Sequence, residues 1–216
     1  MKKLAYGFLD ESPNLSDKNL YFCVDIISTS EETKRKLQKI IKKARRKVVK
    51  KKSKPIPEIK FYNSSKKIRT FILSELIKHD VEIIVVIIDK KGRRVKDTPE
   101  NYGIVVGATI AEYLSTYSSL NLTVDKKFTN SQQQKDFLHS AQKTIDKLYK
   151  GKSSIFFNPP VDSQKDNIVK LADFVAGAFN AKYNKKDDSY VEIIKDKVKI
   201  EKKKSWTVLK KRIVKP

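Results

Sequence analysis

Blocks of apolar and polar positions alternate along the chain and predict alternating strands and helices. Apolar runs over 4–10 and 20–28 predict two strands, and the polar turn between them predicts an antiparallel hairpin. From Ser30 to Val48, apolar residues recur at helical spacing between basic ones, which predicts an amphipathic helix with a basic outer surface. Val81–Asp89 is apolar at nearly every position, which predicts a strand covered on both faces.

The remainder of the chain continues this alternation. Further helices are predicted over 66–78, 101–117, 132–149 and 168–183, and further strands over 58–62, 120–127 and 154–157. Gly103 and Gly107 predict close packing of one helix against the sheet. The prediction is an α/β domain over 1–186 with a mixed central sheet, an opening β-hairpin and helices on both faces. Segments 190–200 and 206–214 predict a basic C-terminal β-ribbon within an extension over 187–216.

Positive charge changes the functional picture, because the formal net charge is +23. Residues 34–54 hold 13 basic residues and no acidic one, and 195–215 hold ten basic residues against two acidic ones. Such blocks favour a polyanion, with nucleic acid before an anionic membrane surface. A lysine-rich solvated face is the simpler alternative. The first block has no Trp or Phe to enter a bilayer, so a membrane is not the predicted partner. Its predicted phosphate contacts are Lys42, Lys43, Arg45, Arg46 and Lys50.

Composition narrows the possible chemistry. At 216 residues with 39% hydrophobic content, the chain can form one ordinary domain, and it has no apolar run of about 18 residues that would predict a membrane span. A carboxylate pair soon interrupts the N-terminal apolar run, which argues against a signal peptide and predicts a cytoplasmic protein. One cysteine and two histidines supply neither a disulfide nor a typical zinc site. Any chemistry is therefore predicted to rest on carboxylates.

Several carboxylates fall at the ends of predicted strands, where open α/β sheets place their sites. These are Asp10, Glu11, Asp89 and Asp125. The strand pleat sends Asp10 and Glu11 to opposite faces, so Asp10 is the predicted site residue, with Glu11 and Ser12 behind it. Asp173 lies inside the apolar helical segment KLADFVAGAF, where a carboxylate loses hydration unless a cation or donor meets it. An exposed, locally hydrogen-bonded aspartate is the alternative.

The segment Glu58-Ile59-Lys60 places a carboxylate and an ammonium on one face of a predicted strand. This pair suits a site at which the acid holds a cation and the lysine meets a phosphate. A weak ion pair within the strand is the alternative. The Glu-x-Lys pattern also suits a restriction-endonuclease-like nuclease. The basic helix separates Glu58 from the acids upstream of it, so that architecture ranks second.

Three motifs together resemble a known family. The opening strand that ends in Asp10-Glu11-Ser12, the Glu58-Ile59-Lys60 segment and the Leu-Ala-Asp helix around Asp173 are similar to the domain of unknown function 3800 family. The resemblance spans roughly residues 4–184, and the Leu-Ala-Asp helix is its most specific part. Pro13 stands where that family usually has glycine, and Lys170 stands where it usually has glutamine.

The resemblance implies a ribonuclease H-like fold and a nuclease that uses two Mg²⁺ or Mn²⁺ ions. The implied metal ligands are Asp10, Glu58, Asp125 and Asp173, and Lys60 would meet the phosphate. Lys170, one turn before Asp173, is a further candidate phosphate contact. The substrate would be RNA, DNA or a hybrid, and the oligomeric state stays open. A nucleic-acid-binding protein that keeps the fold without the chemistry is the alternative.

Overall fold

A six-stranded mixed sheet forms the centre of the computed structural model, which describes residues 5–48, 59–161 and 166–214. The strands are β1 (Ala5–Ser12), β2 (Tyr21–Thr29), β3 (Val81–Asp89), β4 (Ser119–Val124), β5 (Ser154–Phe157) and β6 (Val198–Ser205). The helices are α1 (Glu31–Val48), α2 (Lys66–Leu76), α3 (Pro99–Leu114), α4 (Ser131–Leu148), α5 (Val169–Lys185), α6 (Val191–Ile194) and α7 (Trp206–Val214).

The strand order is β5-β4-β1-β2-β3-β6, and only β2 runs against its neighbours. β1 and β2 form the predicted antiparallel hairpin, with Asp10 opposite Asp25. β4 pairs with β1 in parallel, so the carboxyl ends of these two strands meet at the same edge of the sheet. This arrangement brings the residues that end β1 and β4 next to each other.

Helices cover both faces of the sheet, as predicted. Alternate residues of β3 enter two separate cores, Ile83, Val85 and Ile87 on one face and the even-numbered positions on the other. The first core is closed by α1, α2, α5 and α6, and the second by α3, α4 and α7. Because both faces of β3 are buried, its apolar run needs no alternation.

Gly103 and Gly107 permit close packing, but against a helix and not against the sheet. A Cβ atom at Gly107 would lie 2.5 Å from the carbonyl oxygen of Ala141 on α4. A Cβ atom at Gly103 would lie 2.6 Å from the carbonyl oxygen of Phe137, also on α4. The two glycines therefore fix the contact between α3 and α4.

The predicted C-terminal β-ribbon is wrong. Residues 191–197 form α6 and a 3-10 turn, β6 adds to the sheet in parallel beside β3, and 206–214 form α7. Trp206, Leu209 and Ile213 recur at helical spacing and pack into the second core, which explains the helix. The lysines of β6 occupy the edge of the sheet, where charge discourages pairing with another strand. The division at residue 186 stays a prediction.

No helix in the described part of the chain is long and apolar enough to cross a membrane.

Candidate active site

Three of the predicted ligand residues converge at the carboxyl end of β1. Asp10 is in β1 itself, and Asp125 directly follows β4, where its N–H donates to the carbonyl oxygen of Leu9 over 3.4 Å. Asp173 reaches the same place from α5, which crosses this face of the sheet. The three aspartates line one open pocket of about 420 Å³.

Asp173 ties helix α5 to a tight turn formed by residues 61–64. Its Oδ2 accepts a hydrogen bond from the N–H of Phe61 over 2.7 Å. Phe61 lies against Gly177 on α5, where a Cβ atom would come within 2.3 Å of the ring. Without a side chain at position 177, Phe61 can pack onto α5 and hold this turn beside the pocket.

The predicted strand over 58–62 is wrong, since the described residues 59–60 have no regular secondary structure and 61–64 form a turn. The predicted alternation still holds: Ile59 and Phe61 are buried, whereas Lys60 and Tyr62 face outward and line the pocket. A strand needs a neighbour to pair with, and this segment packs on α5 through side chains instead. Glu58, the remaining predicted ligand, lies outside the described residues.

Electrostatics at Asp10 favour a cation in the pocket. Asp10 is only 8% exposed, and its Oδ1 accepts the N–H of Glu11 over 2.8 Å. Burial raises the pKa of Asp10 well above its usual range, and the charges of Glu11, Asp173 and Asp125 raise it further. A cation bound among these carboxylates would oppose that shift.

Asp25 is a carboxylate that the sequence analysis did not place in the site. It lies opposite Asp10 on β2, fully buried, and neither carboxylate oxygen has a hydrogen-bond partner among the described residues. Burial, and then the charge of Asp173, raise its pKa well above the usual range. The sequence does carry a signal for Asp25, because it is a lone aspartate inside the apolar run FCVDIIS. That Asp25 lies opposite Asp10 depends on the strand register, which the sequence does not reveal.

The predicted supporting residues Glu11 and Ser12 both have partners. Glu11 accepts a hydrogen bond from the Tyr102 hydroxyl and forms an ion pair with Lys127 over 3.0 Å. Ser12 Oγ accepts the side-chain N–H of Asn180 over 3.1 Å. Asn180 lies seven residues after Asp173 on α5, a spacing that puts both on one face of the helix.

Lys127 is a pocket residue that the sequence analysis missed. Its ammonium bridges Glu11 and Asp97, the latter over 3.3 Å, and lies 4.6 Å from the ring centre of Tyr102. Burial alone would lower its pKa, but Glu11 and Asp97 raise it overall. Lys127 therefore keeps a fixed positive charge at the wall of a pocket that is lined mainly by acidic side chains.

The donor set fits a hard divalent cation, because carboxylate oxygens are the ligands that Mg²⁺ and Mn²⁺ prefer. Five carboxylate side chains line the pocket, those of Asp10, Glu11, Asp17, Asp125 and Asp173. Asp25, on the neighbouring strand, adds buried oxygens that have no hydrogen-bond partner among the described residues. Among the described residues, no group of three Asp, Glu, His or Cys side chains lies close enough to hold a metal ion. A metal ion held by three side chains would need the carboxylates to move closer together or a donor from outside the described segments.

The residues that were predicted to contact nucleic acid differ in how far their side chains are exposed to solvent. Lys42, Lys43 and Arg46 are exposed on α1, and Lys43 forms an ion pair with Glu75 over 3.3 Å. Arg45 is half-buried, and its Nε has no hydrogen-bond partner among the described residues. Lys50 lies outside the described residues.

Lys170 does not fit its predicted role as a phosphate contact. Its side chain is only 1% exposed, in the first turn of α5. The first turn of α5 contributes Val169 and Leu171 to the core, so Lys170 enters the interior with them. A phosphate at the protein surface therefore cannot reach it in this structure.

Comparison with solved structures identifies the architecture. Ribonuclease H2 from Pyrococcus horikoshii OT3 superposes with a TM-score of 0.51 at 12% sequence identity, over 85% of this chain and 75% of that one. A mutant of Bst-RNase HIII superposes with a TM-score of 0.56 at 10% identity, over 85% of this chain and 54% of that one. No protein-family model and no curated protein sequence matches the chain. The chain has a ribonuclease H-like fold, which confirms the predicted fold class.

Proposed function

We propose that the chain is a divalent-metal-dependent nuclease that hydrolyses nucleic-acid phosphodiesters at the pocket around Asp10. The observation that carries the proposal is the convergence of Asp10, Asp125 and Asp173 at one edge of a ribonuclease H-like sheet. The net charge of +23 supports a polyanionic substrate, since the carboxylates alone would repel one.

Asp10, Asp125 and Asp173 would hold the metal ions, and Glu58 remains a proposed fourth ligand. Bound Mg²⁺ or Mn²⁺ would supply an activated water and would stabilise charge on the leaving oxygen. The pocket itself supplies oxygen donors, with Asp10 held at low exposure by its place in the sheet. Asp173 is oriented by the N–H of Phe61.

Two lysines of the pocket have different proposed roles. Lys60 lies on the outward side of the 59–64 segment, where its ammonium can meet a substrate phosphate. Lys127 offsets part of the charge of Glu11 and Asp97, which lowers the local negative charge that an incoming phosphate would meet. Lys60 therefore acts on the substrate, and Lys127 acts on the pocket wall.

The test is cleavage of labelled single-stranded, duplex and hybrid oligonucleotides by the full chain, with Mn²⁺ and with EDTA. We expect Mn²⁺-dependent products from at least one substrate and none in EDTA. Cleavage that is equal in EDTA, or no cleavage of any substrate with Mg²⁺ or Mn²⁺, contradicts the proposal.

A nucleic-acid-binding protein without catalysis is the second candidate. The absence of a ready three-donor cluster within 5–48, 59–161 and 166–214 favours it. A metal-dependent thermal shift separates the candidates, since ligand binding stabilises the folded state. With a nuclease site, millimolar Mn²⁺ should raise the melting temperature of the protein. With a lost site, Mn²⁺ should raise it no more than KCl at the same ionic strength does.

A further inference from the structure

We propose that Tyr62 is a stacking platform for an unpaired base, so that the pocket takes a single-stranded segment of nucleic acid. The inference rests on the proposed function, because it takes the pocket as a nucleic-acid site. Tyr62 is 75% exposed, although a large aromatic side chain is normally at least partly covered. It lines the same pocket as Asp10, Asp125 and Asp173.

The backbone under Tyr62 is held from both sides. Arg69 donates from Nη2 to the carbonyl oxygen of Tyr62 over 3.0 Å and from Nε to that of Phe61 over 2.6 Å. The N–H of Lys60 is bound by Asn63 Oδ1 over 3.0 Å. An exposed ring on a fixed backbone loses little conformational entropy when a base stacks on it.

Below Tyr62, the neighbouring ring of Phe61 anchors the turn in the first core. Phe61 meets Tyr190 edge-on at 5.1 Å between ring centres and Phe174 at 5.9 Å. The N–H of Phe61 is bound to Asp173, a proposed metal ligand. A base on Tyr62 would thus be held at a fixed distance from the carboxylates that act on the phosphodiester.

The chemistry of the platform selects the substrate class. An aromatic side chain can stack only on a base whose face is free, as in a single strand, a loop or an end, because the bases of a duplex cover one another. Lys60, two residues before Tyr62, lines the same pocket, and its ammonium would meet a phosphate of the bound strand there. Stacking tolerates any base, so RNA and DNA single strands are both candidates.

The experiment measures binding of fluorescein-labelled dT12, rU12 and a 12-base-pair duplex to the full chain by anisotropy in EDTA. Tyr62→Ala should weaken binding of a single strand by about 5- to 150-fold, the loss that corresponds to ~1–3 kcal/mol for one stacked base. Tyr62→Phe should restore it, and duplex binding should stay unchanged. Phe156→Ala is the matched control, since Phe156 is also exposed (58%) but does not line the pocket.

A second readout reports the stacking itself. Tyr62→Trp should lose fluorescence when the single strand binds, whereas the wild-type protein, whose one tryptophan is the buried Trp206, should not. Unchanged single-strand binding by Tyr62→Ala, or an equal loss for duplex or with Phe156→Ala, overturns the inference. If Mn²⁺-dependent cleavage survives that result, only the stacking platform is wrong. Tyr62-dependent binding without any cleavage supports the platform and overturns the nuclease.

Discussion

At the residue scale, the site is defined by carboxylates that burial and mutual repulsion keep from ionising easily. Asp10 and Asp25 face each other on neighbouring strands, and the pKa of each is raised first by burial and then by other acids of the site. Asp25 has no hydrogen-bond partner among the described residues, so its charge would be costly in the absence of a cation. Sequence periodicity placed Asp10 but could not place Asp25 beside it, because the pairing depends on the strand register.

The raised pKa of Asp25 predicts an unusual pH dependence of stability in metal-free buffer. The folded state holds the proton of Asp25 to a higher pH than the unfolded chain does, because an aspartate in an unfolded chain has a pKa of about 3.9. Between the pKa of Asp25 in the unfolded chain and its higher pKa in the folded state, the folded state binds more protons than the unfolded chain does. The free energy of unfolding therefore falls as the pH rises through this range. Asp25→Asn removes the titrating group. We expect the free energy of unfolding of this variant to exceed that of wild type by about 1–3 kcal/mol at pH 8 and by less at pH 5.

Urea unfolding at pH 5, 6.5 and 8 in EDTA measures this difference. Asp89→Asn is the control, since Asp89 ends β3 and does not line the pocket. A difference between Asp25→Asn and wild type that is the same at every pH would mean that Asp25 does not titrate in this range.

At the element scale, α1 supplies a basic surface that is separate from the pocket. Its apolar residues Leu37, Ile40, Ile41 and Ala44 are buried as their spacing predicted, so most of its lysines and arginines are exposed. α1 lies along α2, with Lys43 beside Glu75 and Lys47 over the ring of Phe71. None of the α1 residues lines the pocket.

This placement predicts that α1 contributes affinity and not turnover. Lys42, Lys43, Arg45 and Arg46 were all predicted phosphate contacts, but Lys43 has an acidic partner and Arg45 is half-buried. Lys42→Ala with Arg46→Ala is the cleaner change. If both meet phosphates, duplex DNA binding should weaken, and the slope of log K against log salt should fall by about 1.8. The single-turnover rate at saturating substrate should change little.

Anisotropy across a salt series and single-turnover cleavage together measure this prediction. Lys135→Ala with Lys143→Ala removes the same charge from exposed positions on α4, in the opposite helical layer, and should leave the slope unchanged. An equal fall in slope for both pairs would show that net charge, and not the α1 surface, controls binding.

The sequence predicted some secondary-structure elements correctly and others wrongly, and the difference has a physical reason. The sequence predicted β1 to β5 and α1 to α5. The helices α1, α2 and α4 were visible because each buries a face at helical spacing, and β3 was visible because its continuous apolar run is buried on both faces. The C-terminal segment failed because its lysines hide the period: β6 is an edge strand, and α7 buries only a narrow stripe. The 59–64 segment alternates like a strand but has no strand beside it, which only the packing of α5 decides.

At the scale of the whole molecule, the fold explains why distant parts of the sequence meet. Parallel pairing of β1 and β4 joins Asp10 to Asp125, and the path of α5 across the sheet adds Asp173. Strand ends indicated the first two from the sequence. The meeting with Asp173 came from the family resemblance, and the contributions of Lys127 and Asn180 required the tertiary structure. Membership of the domain of unknown function 3800 family stays a prediction.

The central claim is that Asp10 and Asp173 act as metal-holding carboxylates of a nuclease. Its most direct test is single-turnover cleavage in Mn²⁺ by wild type, Asp10→Asn, Asp173→Asn and the control Asp89→Asn. Asparagine at 173 can still accept the N–H of Phe61, so the 59–64 segment should stay in place. We predict that each pocket variant loses at least ~100-fold in rate, keeps the fold and shows a smaller Mn²⁺-induced thermal shift, while Asp89→Asn cleaves like wild type. Full activity in Asp10→Asn or Asp173→Asn would contradict the account.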